Sequence, residues 1–175
     1  MSTVQKVNFE PYSNLLQTQT RDKVLADGTL VNPLNSVALV DGEWMTTDSS
    51  DKAIRATTIG SVGNAATLMS FPLFAERGRT DIQARAERGV PLIMFGEWEA
   101  DTRIFDASVT IASGAPITTM WQPLKVATIT IGSRNYSGLV GHGGAADTAP
   151  IAGYVSKLPA ANGGKLRMHG GKGRL

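Results

Sequence analysis

The chain has no cysteine, which removes disulfides, thiolate nucleophiles, cysteine-ligated zinc and iron–sulfur clusters together. Histidine is scarce too. His142 and His169 are the only two among 175 residues, too few for a histidine-built metal centre, and neither has an acidic orienter at an obvious spacing. The G-x-S-x-G elbow, H-E-x-x-H and the EF-hand spacing are all missing. No run approaches the ~18 apolar residues of a membrane-spanning helix. The first twenty residues are polar, without an apolar h-region, so no secretory signal is expected. Aromatics make up 6% of the chain, and Trp44, Trp98 and Trp121 are too far apart to suggest a stacking platform; they read as core or interface anchors. No enzyme activity, cofactor or metal site is therefore expected.

What the chain does have is the vocabulary of β-structure. Nineteen glycines and eight prolines punctuate short apolar runs rich in β-branched residues. The runs Val37–Val40, Ile54–Ile59, Leu68–Phe74, Val90–Phe95, Glu97–Phe105, Leu124–Ile131, Ser137–Gly141 and Ile151–Leu158 read as strands. Asp27-Gly28, Asp41-Gly42, Ser113-Gly114 and Asn162-Gly163 read as turns between them. The best helical stretch, Glu76–Arg88, is interrupted by Gly78 and lacks an apolar stripe, so its Asp81–Glu87 portion reads as a half-exposed strand. The expected fold is all-β: one β-barrel or β-sandwich over residues 36–158, with Trp98, Ile104, Ile93, Val126 and Val155 inward.

Two flanking segments differ from this body. Residues 1–35 scatter Val7, Phe9, Tyr12, Leu15 and Leu16 through a polar stretch that has too little apolar area to order itself. An extended N-terminal arm is expected, pinned on a partner by Phe9, Tyr12 and Leu16. Residues 1–147 hold 12 basic and 15 acidic side chains, whereas residues 148–175 hold Lys157, Lys165, Arg167, Lys172 and Arg174 and no acid. Residues 159–175 are expected to be a flexible basic tail, with Lys165, Arg167, Lys172 and Arg174 steering encounter with an acidic surface. Nucleic acid is not expected as a partner, because no aromatic residue follows Tyr154 in the basic stretch.

Two constellations invite chemistry. Gly141-His142-Gly143-Gly144-Ala145-Ala146 formally fits G-x-G-x-x-A, but Asp147, Thr148 and Pro150 leave no room for the helix whose N-terminus would hold a pyrophosphate. It reads as a loop between strands. Glu97, Glu99 and Asp101 alternate, which places them on one sheet face. Paired carboxylates are the machinery of glycoside hydrolysis, yet Arg103 continues that face and suggests charge compensation. A solvated or subunit-facing charged strand is the better reading.

The residues themselves resemble a family. Phe71-Pro72-Leu73-Phe74, Arg79-Thr80-Asp81-Ile82-Gln83-Ala84, Phe95-Gly96-Glu97 and Asp101–Ala107 are similar to stretches of tailed-bacteriophage head proteins. So are Ser113–Ile117, Pro123–Val126, Ile151–Pro159 and Gly164–Met168. Over residues 30–168 the chain resembles the small β-structured capsid decoration, or cement, proteins. The resemblance implies a virion protein, assembled in the bacterial cytoplasm, that binds the outside of the head and ties major capsid subunits together. It also implies a homo-oligomer, a trimer before a dimer. Two other readings stay open: a tail or head–tail connector component, and a carbohydrate-binding or hydrolytic β-sandwich using Glu97, Glu99 and Asp101.

Overall fold

The computed structural model describes residues 9–11, 19–31, 38–40, 42–56, 71–72, 90–95, 97–108, 114–160 and 164–170. Twelve strands lie among them: β1 Phe9–Pro11, β2 Gln19–Lys23, β3 Trp44–Thr47, β4 Ala53–Arg55, β5 Phe71–Pro72, β6 Val90–Phe95, β7 Trp98–Thr102, β8 Gly114–Ala115, β9 Pro123–Ile131, β10 Arg134–His142, β11 Ile151–Lys157 and β12 Leu166–Gly170. The only other regular element among the described residues is a 3-10 turn, Gly28–Val31. The fold is all-β, as the punctuated apolar runs predict.

Seven strands form one antiparallel sheet in the order β1-β7-β12-β11-β9-β10-β8; β4-β3-β5 and β2-β6 form two smaller sheets. The large sheet is rolled. Beyond β7 the Ile104 carbonyl accepts from the Leu139 amide at 3.1 Å, and the Asp106 amide donates to the Leu139 carbonyl at 2.9 Å. Four strand spacings separate β7 from β10 in the sheet order, which would span about 19 Å if flat. The chain from Thr102 to Phe105 can reach only about 10 Å. The sheet must therefore curl until β10 meets the chain leaving β7.

The curl encloses the core. Burial alternates along β7 and β12, so Trp98, Ala100 and Thr102 point inward with Leu166, Met168 and Gly170. Val155, Leu124 and Leu139 join them, and the three-stranded sheet contributes Trp44, whose ring centroid lies 6.4 Å from that of Trp98. Gly170 stands against the Trp98 ring, where a Cβ would collide with the indole. Of the expected inward residues, Trp98, Ile104 and Val155 are buried and Val126 packs on the core half-buried; the Ile93 side chain lies outside the described residues.

Three expectations on boundaries need amending. The N-terminal arm is extended, and its described parts lie on the domain: Phe9–Pro11 pairs with β7 and Gln19–Lys23 with β6. The basic tail starts later than expected. Leu166–Gly170 is a strand between β7 and β11, because Leu166 and Met168 alternate with Arg167 and His169 and supply a buried face. Val37–Val40 fails as a strand over its described part, residues 38–40. Asp81–Glu87 falls outside the described residues.

The segment at 38–40 serves a buried charge instead. Glu43 has no solvent exposure. Arg55 grips its carboxylate with two donors, Nε at 2.8 Å and a terminal nitrogen at 3.1 Å. The Val40 amide at 3.0 Å and the Ser137 amide at 3.3 Å donate to the same two oxygens, and a terminal nitrogen of Arg134 lies 3.8 Å away. Removing one member of such a pair strands the other charge away from water, at a cost of about 3 kcal/mol. Glu43→Gln is expected to lower unfolding free energy by about that amount in urea titration. Arg55→Lys, which keeps the charge and loses the fork, is expected to lose about 1 kcal/mol.

Candidate docking surface

The outward face of β7, β12 and β11 gathers most of the charges singled out in the sequence. Asp101 and Arg167 face each other in register and form an ion pair at 2.7 Å, with a second contact at 3.2 Å. Arg167 is therefore fixed on a strand, not carried on a flexible tail, and it takes the compensating place that the sequence suggested for Arg103. Ser156 donates its hydroxyl to Glu99. Glu97 is more than half exposed, and its Oε2 lies 3.9 Å from His169 Nε2. The three carboxylates share a face as expected, and two of them, Glu99 and Asp101, are bonded to partners along it. Lys165 is half-buried before β12 and has interactions within the chain. Phe9 lies in β1 by backbone pairing alone; Tyr12, Leu16, Lys172 and Arg174 lie outside the described residues.

Beside this face, residues 116–122 form a turn whose shape one side chain dictates. The Gln122 carboxamide oxygen accepts from the Thr118 amide at 2.9 Å and the Thr119 amide at 3.4 Å, while its nitrogen donates to the Pro116 carbonyl at 2.7 Å. Backbone bonds from Trp121 to Val155 (2.7 Å) and from Val155 to Gln122 (3.0 Å) then tie the turn to β11. Trp121 takes φ = 62°, a left-handed backbone that costs a non-glycine residue about 1 kcal/mol. Trp121 is 62% exposed and Met120 beside it 48%, while the indole centroid lies 6.4 Å from that of the His169 imidazole. Two large apolar side chains thus stand in water on a braced, strained turn. Of the three tryptophans, Trp44 and Trp98 are core and Trp121 is the surface anchor. No pattern in the sequence marks it, because neither Gln122's bonds nor a positive φ leaves a periodic trace.

The Gly141–Ala146 loop is held by a buried ion pair. Lys125 lies on the sheet face opposite the main core, registered with Val140, and its ammonium meets Asp147 at 2.6 Å. Both side chains are nearly buried. The Asp147 carboxylate also accepts from the Gly143 amide at 2.8 Å and the Ala149 amide at 3.1 Å. His142 bonds the Ala149 carbonyl through Nε2 at 3.0 Å, and its Nδ1 accepts from the Gly144 amide at 3.2 Å. The loop is a closed clasp over Lys125, and its glycines hold no helix N-terminus. No group of three or more metal-ligating side chains forms among the described residues.

Burial by itself raises the Asp147 pKa, but the Lys125 ammonium and the two amides outweigh it, with a smaller contribution from His142, and lower the value from 3.8 to about 2. The folded value lies below the unfolded one, so the stabilisation is complete above about pH 4 and drains away as pH falls toward 2. A shift of that size corresponds to about 2.5 kcal/mol. Urea midpoints are expected to drop across that acid window. Asp147→Asn is expected to be less stable than the wild type by about 3 kcal/mol at pH 7 and to show a flatter acid profile.

Searches against protein-family models, curated proteins and solved structures found no match.

Proposed function

We propose that the chain is a structural binding protein of the capsid-decoration class, attached to the outside of a phage head and bridging major capsid subunits. The observation that carries the reading is the Met120–Trp121 turn. Tryptophan and methionine are enriched where proteins dock, and a tryptophan seated in a pocket dominates the energy of many interfaces. Here the anchor is held ready by the Gln122 bonds, so little rotational or loop freedom remains to be lost on binding. The strained φ of Trp121 fits a side chain kept for contact and not for stability. The resemblance supplies the identity of the target, and the closed Lys125–Asp147 clasp and the Glu43 network suit a domain that must hold its shape as part of a shell. On this reading the partners are the major capsid protein and further copies of the chain, and the location is the virion surface.

The test compares Trp121→Ala and Trp121→Gly with the wild type in co-sedimentation with heads that lack the protein. Both substitutions are expected to reduce occupancy at least about tenfold, the loss typical of a tryptophan anchor. Trp121→Gly is expected to match or exceed the wild type in thermal stability by up to about 1 kcal/mol, because glycine relieves the left-handed strain. Undiminished occupancy in both variants would overturn the reading.

A further inference from the structure

The charges on the outward face of β7, β12 and β11 are sorted by sign. Arg103 and Lys165 lie just beyond the Thr102–Leu166 pair at one end, and Lys157 is registered with Arg167 in the middle row, on the side of those two cations away from Glu97 and Glu99. Glu97 and Glu99 occupy the other end, with Glu99 registered opposite His169. Between them the Asp101–Arg167 pair at 2.7 Å neutralises itself. Arg103 and Lys165 also interact within the chain. Arg103 lies six positions along the chain from Glu97, about 20 Å if extended. That is more than twice the ~8 Å screening length at physiological salt. The two ends act as separate poles of one surface.

We propose that this face binds the same face of a second copy across a two-fold axis. Each copy's Glu97–Glu99 end then meets the other's Arg103, Lys157 and Lys165. A two-fold contact places one patch against itself after a half-turn, and only a patch whose two ends carry opposite charge gains at both ends from that operation. An acidic partner would use the basic pole and leave Glu97 and Glu99 facing their own sign; a basic partner would do the reverse. A second copy is the one occupant that matches both. The contact makes a dimer, where the family resemblance puts a trimer first.

Sedimentation equilibrium of the full chain, free of heads, tests this independently of capsid binding. The wild type is expected to dimerise at about 0.1 M salt and to weaken at least about tenfold at 1 M, as screening shortens from about 10 Å to about 3 Å. Lys157→Glu with Lys165→Glu is expected to be monomeric, since both contacts then oppose acid to acid. Glu97→Lys with Glu99→Lys is expected to be monomeric for the opposite reason. An equimolar mixture of the two variants is expected to recover the dimer as a heterodimer. If circular dichroism shows that the second variant is misfolded, Glu97→Lys alone serves, since Glu97 has no hydrogen-bond partner among the described residues; it is expected to weaken the wild-type dimer. A wild type that stays monomeric, a trimer, variants that self-associate as tightly as the wild type, or a folded mixture that stays monomeric would each overturn the proposal.

Discussion

A carboxylate with no access to water is an expensive thing to bury, and Glu43 is tolerated because every oxygen lone pair in reach finds a donor. Arg55 supplies the charge and the fork, while the Val40 and Ser137 amides supply the rest. Those donors come from three places in the chain: the segment before β3, β4, and the middle of β10. One side chain thus fastens the three-stranded sheet to the rolled sheet, and it does so with directional bonds where apolar contacts would tolerate sliding. Trp44, next in sequence, can then meet Trp98 in the shared core. A hydrophobic pair at positions 43 and 55 would bury as much surface but would leave two backbone amides without acceptors, the costlier error in a dry interior.

The Lys125–Asp147 pair repeats this logic on the opposite side of the sheet. β9 and β10 are buried on both faces, one lining the main core with Leu124 and Leu139, the other carrying Ile129 and Val140 in a smaller cluster. Lys125 belongs to the second face, and its ammonium is acceptable there because the loop after β10 folds its only carboxylate over it. The glycines that imitate a dinucleotide motif serve that folding: Gly144 takes φ = 84°, and the Gly143 amide helps to hold the carboxylate.

Element type was largely legible in the sequence, and reach was not. Val90–Phe95, Leu124–Ile131 and Ile151–Leu158 announce themselves as apolar β-branched runs and recur as β6, β9 and β11 with shifts of at most a residue. β12 hides because Arg167, His169 and two flanking glycine pairs outweigh, by eye, the period-two burial of Leu166 and Met168. β3 hides because Trp44–Thr47 is short and mixed in polarity. The alternation of Glu97, Glu99 and Asp101 placed them correctly on one face, whereas the identity of their partners depended on which strand lies alongside. That is a matter of sheet order, and by sequence alone β12 reads as tail. Lys125 and Glu43 are the same failure in another form: a charged residue inside a strand or turn looks solvated until a distant segment is known to cover it.

The position of β12 also decides how the domain carries load. All five of its residues pair with β7 on one side, and four of them, Arg167–Gly170, pair with β11 on the other. A force applied through the C-terminal end must slide β12 lengthwise against two ladders, breaking their bonds together. β1, bonded to β7 alone over three residues, can be peeled from the N-terminal end one pair at a time. The two strands are mechanically unequal: β12 resists a lengthwise load far better than β1.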